Sequence, residues 1–289
     1  MRRLRISAIS FLNTAPLMWN FEHGVPPVLP ERASYAPAGE DFEIAYTIPS
    51  RCADELRAGT ADIGVIPAIT YATIPNLIIL PDAVIAARGA VRSILLVCKG
   101  PLERVRTVAA DTSSRTSVAL LEILCRKFLG GARELRPMAP ELGTMLATCD
   151  AALLIGDPAL KVDRSQYEVY DLAELWQRHT GKAFVFAVWA ARLAALAEMP
   201  RGLDLAAVFR QSRDAGTQQE SISAIAQLWA GRVELAEDEV RSYLTHNIHF
   251  TLDGECQDGM ELFFRYAVEC GVIPEAPDLR FFGTAACRF

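Results

Sequence analysis

The sequence has no C-x-x-C pair, no H-E-x-x-H, no G-x-S-x-G and no glycine-rich phosphate loop. These absences remove, in turn, the common zinc sites, the zincin helix, the serine-hydrolase elbow and the nucleotide-binding loops. Histidine is scarce. The one suggestive pair among four, His246-x-x-His249 in YLTHNIHF, has no third ligand in view, so capping or packing near a helix end accounts for it better and no metal is expected. Positive charge is in deficit, 29 Lys and Arg against 35 Asp and Glu, which excludes a surface built to follow nucleic-acid phosphates. Long apolar runs are missing too. The most apolar stretch, AFVFAVWAARLAALAEM, carries Arg192 and is too short to span a bilayer, so no membrane partner is expected. The basic start MRRLR resembles a signal peptide only briefly, because Asn13, Thr14 and Pro16 interrupt the apolar stretch that would follow; it reads as a first strand. Seven widely spaced cysteines, at 52, 98, 125, 149, 256, 270 and 287, form no disulfide frame and mostly sit in apolar runs, as expected of buried thiols in a reducing cytoplasm.

What is present is an α/β grammar. With 289 residues, 51% of them hydrophobic, the chain is comfortable for two lobes. Residues 4–11 form an extended apolar segment running into Asn13-Thr14-Ala15-Pro16, a helix-start signal. Ser50 is placed to cap a short helix closed by Gly59, and ADIGVIPAITY (61–71) reads as a strand entering a loop through Pro67. Two extended pieces over 77–98 are interrupted at Arg88-Gly89. The pattern then repeats: TVAAD is a strand, TSS a turn, RTSVALLEILCRKFLGG an amphipathic helix, AALLIG (151–156) another strand. FVFAVWAA (184–191) is a return strand, followed by mostly helical sequence from 203 to 270. The expected fold is a two-lobed clamshell of the periplasmic-binding-protein-like (type II) kind, with mixed, mostly parallel sheets flanked by helices. One lobe takes residues 1–92 and 190–289, an inserted lobe takes 93–189, and the ligand cleft lies between them.

Three segments carry polar chemistry where strands end. In SFLNTAP, Ser10 and Asn13 stand at a strand-to-helix junction; the Asn13 amide either caps the helix or points a donor and an acceptor into the cleft. In DTSSRTS, the hydroxyls of Thr112, Ser113, Ser114 and Thr116 crowd a helix start that would cradle an anion, with Arg115 available to a carboxylate; a capping turn with an outward arginine is the alternative. In LLIGDPAL, Gly156 permits close backbone approach, and Asp157 is either a turn residue before proline or a base. Ser93 is a cleft hydroxyl at the first passage between lobes or simply a strand serine.

Taken in order, SFLNTAPL, ADIGVIPAITY, VRSILLV, DTSSRTSVALLEILC, AALLIGDPAL, TGKAFVFAVWAAR and YLTHNIHF resemble the chorismate dehydratases of the futalosine route to menaquinone over residues 5–270. The resemblance implies a cytoplasmic, cofactor-independent hydro-lyase that removes water from chorismate, giving 3-[(1-carboxyvinyl)oxy]benzoate. It also implies catalytic roles for Asn13 and Asp157, with the substrate's own carboxylate as the alternative base. Ser10, Ser93, Thr112, Ser113, Ser114, Arg115, Thr116 and Gly156 would bind substrate, and a homodimer is compatible with the chain. A solute-binding or effector-sensing clamshell and the sister enzyme acting on a cyclic futalosine derivative are the other readings. FLNTAP favours the dehydratase.

Overall fold

The computed structural model describes residues 3–23, 41–199 and 202–283, so Cys287 lies outside the described residues. A first sheet is built from Leu4–Ile9 (β1), Phe42–Thr47 (β2), Ile63–Pro67 (β3), Leu77–Ala87 (β4) and Phe184–Arg192 (β10), in the order β2-β1-β3-β10-β4. A second takes Ile94–Cys98 (β5), Thr107–Asp111 (β6), Glu134–Met138 (β7), Ala151–Ile155 (β8) and Glu168–Asp171 (β9), in the order β7-β6-β8-β5-β9. The central strands β3, β5 and β8 are buried at every residue, which explains why they read as continuous apolar runs.

The antiparallel share is larger than the strand-helix alternation suggests. β1 runs parallel to β2 and β3, and β6 parallel to β7 and β8, but β10 opposes both its neighbours and β5 opposes both of its own. The reversed strand in each sheet is the one by which the chain arrives from the other sheet. Strand pairing also places all of Phe184–Arg192 in the first sheet, with Phe184 opposite Ala87. Residues 181–183 lead into β10, and residues 88–93 lead from β4 to β5.

Local signals explain most helix ends. Ser114 caps Arg115–Lys127, accepting the Ser117 N–H, and Asp171 caps Leu172–Thr180, accepting from Ala173 and Glu174. Ser50 is not a cap: Pro49 opens Pro49–Ala58 at the first turn after Ile48, and Gly59 closes it in the left-handed region, as Gly59 was expected to. After Pro67 the chain forms a short helix, Ala68–Tyr71, where a loop was expected. Of the described cysteines, all but half-buried Cys270 are buried.

Two glycines seat helices on the elements that matter for the cleft. At Gly216, the end of Leu205–Gly216, an added Cβ would lie 1.9 Å from the carbonyl oxygen of Pro16. From the same helix, the Ser212 hydroxyl donates to the Leu17 carbonyl at 2.8 Å and accepts from the Asn20 N–H at 3.1 Å. The turn that carries Asn13 is thus held from behind. At Gly259 a Cβ would lie 2.1 Å from the Ala183 carbonyl oxygen, in the return passage. Both contacts are to backbone, which cannot give way as a side-chain tip can. Gly216→Ala is expected to cost about 1–3 kcal/mol or more, read as a lower denaturation midpoint; an unchanged midpoint would refute this packing.

Candidate functional site

Three strand ends converge between the sheets. β1 delivers Ser10 and Phe11 into a 3-10 turn, Leu12–Met18, whose irregular backbone follows from Pro16 within it. β8 ends at Ile155 and runs into Gly156, which has φ +60 and starts the helix Gly156–Leu160. An added Cβ there would lie 2.6 Å from the Phe11 ring, so glycine is required both for its backbone angle and for its neighbour. Next to it, the Asp157 carboxylate accepts the Leu12 N–H at 3.0 Å, joining the end of β8 to the end of β1. β6 ends at Asp111, whose carboxylate accepts from the Ser113 N–H and hydroxyl at 2.8 and 2.5 Å and from the Ile155 N–H at 3.3 Å. The hydroxyl-rich turn and the β8 end are thereby tied together.

These ends enclose one cavity of about 40 Å³. Asn13, Phe11 and Phe186 line it from the first sheet's side, and Ser114, Ser117 and Gly156 from the second's. That volume holds a few waters, so a ring-bearing ligand enters only if side chains or sheets move apart. Among the described residues, no Lys or Arg lines it.

The expected site residues therefore divide. Asn13, Ser114 and Gly156 share the cavity, and Asp157 adjoins it. Ser114 also caps its helix and donates to the Ser117 hydroxyl at 2.9 Å, so it both caps and lines the cavity. The rest of the hydroxyl-rich turn faces elsewhere. Ser113 is spent on Asp111, Thr116 accepts the Ile69 N–H at 3.2 Å, and Thr112 is exposed. Arg115 reaches away to both oxygens of Asp54, at 2.8 and 2.9 Å, and lines a separate groove with Thr70, Glu122 and Val272. Ser10 donates its hydroxyl to the Thr47 carbonyl at 3.2 Å. Ser93 is fully buried, one layer behind the cavity, and accepts the Tyr243 hydroxyl at 2.8 Å.

Tyr243 is the residue that sequence reasoning missed. It stands at the start of a single π-helical turn, Tyr243–Asn247, and links Ser93 to Asn13, whose side chain also interacts with the phenol. Burial raises its pKa, so it remains a neutral donor. The available signal was the one phenol in the apolar start of YLTHNIHF. Asp171, also missed, accepts the Val91 and Arg92 N–H groups at 3.2 and 2.6 Å and so pins the outward passage. His246 turns back to the Ser242 carbonyl, whereas His249 pairs with Asp253. His249, Asp253 and Cys256 do bring ligand-type atoms within 4.8 Å of one another, but Arg88 already pairs with Asp253 there.

Burial pushes the Asp157 carboxyl up to about 6, the Leu12 N–H and the charge of Lys161 opposing it only in part. Its hydrogen bond to Leu12 uses one oxygen, and the other has no partner among the described residues. An amide and two serine hydroxyls around one small space, beside a carboxyl whose pKa burial raises, can bind an oxygen-rich ligand and move a proton.

Two mixed sheets exchanging two chain passages, with a cavity between them, define a periplasmic-binding-protein-like fold. Protein AF1704 from Archaeoglobus fulgidus is similar over 94% of this chain and 98% of its own, with a TM-score of 0.66 and 14% identity. The periplasmic aliphatic sulphonate-binding protein SsuA from Escherichia coli is similar over 96% of each chain, with a TM-score of 0.63 and 16% identity. These likenesses concern the fold. At the level of sequence, the profile described as menaquinone biosynthesis matches residues 4–269. The chorismate dehydratase of Thermus thermophilus is 30% identical over 259 residues, 81% of this chain and 92% of that protein. The chain belongs to the menaquinone biosynthesis family. No helix among the described residues is long and apolar enough to cross a membrane.

The raised Asp157 carboxyl has a stability signature. Folding favours its protonated form, so its contribution is most favourable below the ordinary carboxylate range and is lost as pH rises to about 6. Asp157→Asn keeps an acceptor for Leu12 and removes the desolvated charge. Its denaturation midpoint, measured relative to the parent, is expected to climb between pH 4 and 6 and then level off; a difference independent of pH would contradict this.

Proposed function

We propose that this chain is a chorismate dehydratase acting in menaquinone biosynthesis: a hydro-lyase that converts chorismate into 3-[(1-carboxyvinyl)oxy]benzoate without a cofactor. The observation that carries the reading is the shared cavity, with Asn13 from one sheet and Ser114 from the other facing the same space beside Asp157. The similarity to a protein named chorismate dehydratase supplies the substrate.

The chemistry suits these residues. Removing the ring proton beside the enolpyruvyl ether, and the hydroxide from the adjacent carbon, leaves a benzene ring and one water. Dehydration involves no net change in oxidation level, so no redox group is required. The departing proton is vinylogous to the ring carboxylate, which can accept the developing charge. What remains for the protein is to hold the ring, orient the leaving hydroxyl and keep out competing rearrangement.

In this reading the helix start at Ser114 and Ser117 receives the ring carboxylate, since the positive end of that helix dipole favours an anion. Asn13 orients the ring hydroxyl or the ether oxygen. Ser93 and Tyr243 act behind it, fixing the Asn13 amide through the phenol. Asp157, ionised above about pH 6, takes the proton. Residues 1–92 with 190–289 would move against 93–189 to admit substrate, with the hinge at the two passages between the sheets.

Incubation with chorismate is expected to consume it and yield the aromatic ether in equal amount, seen by chromatography. Turnover only of a cyclic futalosine derivative, or binding without turnover, would refute the assignment. With the base at Asp157, the rate on chorismate rises with pH through about 6, and Asp157→Asn lowers kcat by about 10²–10⁴-fold while ligand affinity changes little. Near-normal turnover in that variant would transfer the role to the substrate's enolpyruvyl carboxylate.

A further inference from the structure

The ligand assigned to the cleft is a dianion, yet among the described residues no cation lines the inner cavity, and Arg115 is committed to Asp54. A cation stands next door. Across Phe11 from the inner cavity lies a second pocket of about 280 Å³, whose walls include Phe11, Met18, Glu22, Tyr46, Trp229 and Arg232. Phe11 and Ile9 line both spaces. The Phe11 ring, which rests on Gly156, stands in the wall of both pockets.

Arg232 lies in the last turn of the helix Gln219–Val233, exposed, with its guanidinium carbon 5.2 Å from the centre of the Trp229 ring. It makes no ion pair among the described residues. Stacking on an aromatic face restricts the guanidinium while leaving its N–H groups available to a carboxylate. The pocket's carboxylate, Glu22, accepts a hydrogen bond from the Tyr46 hydroxyl and forms no ion pair with Arg232 among the described residues.

We propose that this outer pocket is an antechamber for the anionic substrate, in which Arg232, held against Trp229, pairs with one carboxylate of chorismate. Rotation of Phe11 off Gly156 then joins antechamber and inner cavity into a single space that accommodates the ring. This rests on the dehydratase reading for the ligand's identity, while the pocket, the ring in its wall and the unpaired cation stand on the geometry. Arg232 contributes to capture rather than to proton transfer, because the polar groups about the reacting space belong to Asn13, Ser114 and Asp157.

The test compares the full-length parent with Arg232→Gln and Arg232→Lys, measuring kcat, KM and their dependence on ionic strength with chorismate, together with chorismate affinity by calorimetry. Arg232→Gln is expected to lower kcat/KM by about 3–10-fold through KM, to leave kcat within about twofold, and to flatten the salt dependence. Arg232→Lys should recover much of the loss. Unchanged kcat/KM in Arg232→Gln, or a fall in kcat alone, overturns the antechamber even if the parent dehydrates chorismate. If the parent binds chorismate without turnover, the dehydratase reading fails by itself, and the antechamber is decided by whether Arg232→Gln weakens binding. A parent that neither binds nor converts chorismate refutes both.

Discussion

The donation of the Leu12 N–H to Asp157, beside the Phe11 ring on Gly156, joins the end of β1 to the end of β8, and the site depends on that junction. It is a contact between segments 145 residues apart in the chain, formed only because the chain passes from one sheet to the other and back. The bond gives a backbone donor at the irregular turn an acceptor it would otherwise lack. The junction also buries the carboxylate, and that desolvation raises its proton affinity against the opposing pull of the Leu12 N–H. The same contact between strand ends therefore joins the two sheets and keeps the carboxylate away from water.

Around that junction, buried polar groups fix the other strand ends. Asp111 ties the hydroxyl-rich turn to β8, Asp171 ties the outward passage to the start of a helix, and Gly216 allows a helix to press directly on the turn bearing Asn13. Each is satisfied by backbone N–H groups or by close packing rather than by exposed ion pairs, so positions are held by directional bonds that salt does not screen. Ser93, Tyr243 and Asn13 extend the same principle toward the cavity.

How much of this was legible in the sequence depends on whether the determinant was local. β5, β8, the helix Arg115–Lys127 and the Ser114 cap follow from apolar runs, 3.6-residue periodicity and a capping residue, all readable in place. Asn13, Ser114, Gly156 and Asp157 were legible as a set because strand ends in two-sheet folds gather at the cleft. The direction of Arg115 was not. Whether a guanidinium at a helix start faces inward or outward is settled by its partner, here Asp54 on a helix 61 residues earlier. Likewise Thr116 and Ser113 serve Ile69 and Asp111, contacts that no local pattern announces. The return strand was legible by its β-rich composition, but its membership of the first sheet came from pairing with β4 across the inserted segment. Tyr243 escaped because a phenol within an apolar helical stretch reads as core until its hydroxyl is seen to meet Ser93.

The central claim is that the space between Asn13 and Ser114, opened by movement of Phe11, is where the substrate is held. A crystal structure with bound 3-[(1-carboxyvinyl)oxy]benzoate tests it most directly. The aromatic ring is expected between those two residues, with a carboxylate at the helix start of Arg115–Lys127 and the Phe11 ring displaced from Gly156. Ligand seated instead in the groove beside Arg115 and Glu122, with Phe11 still packed on Gly156, would contradict it.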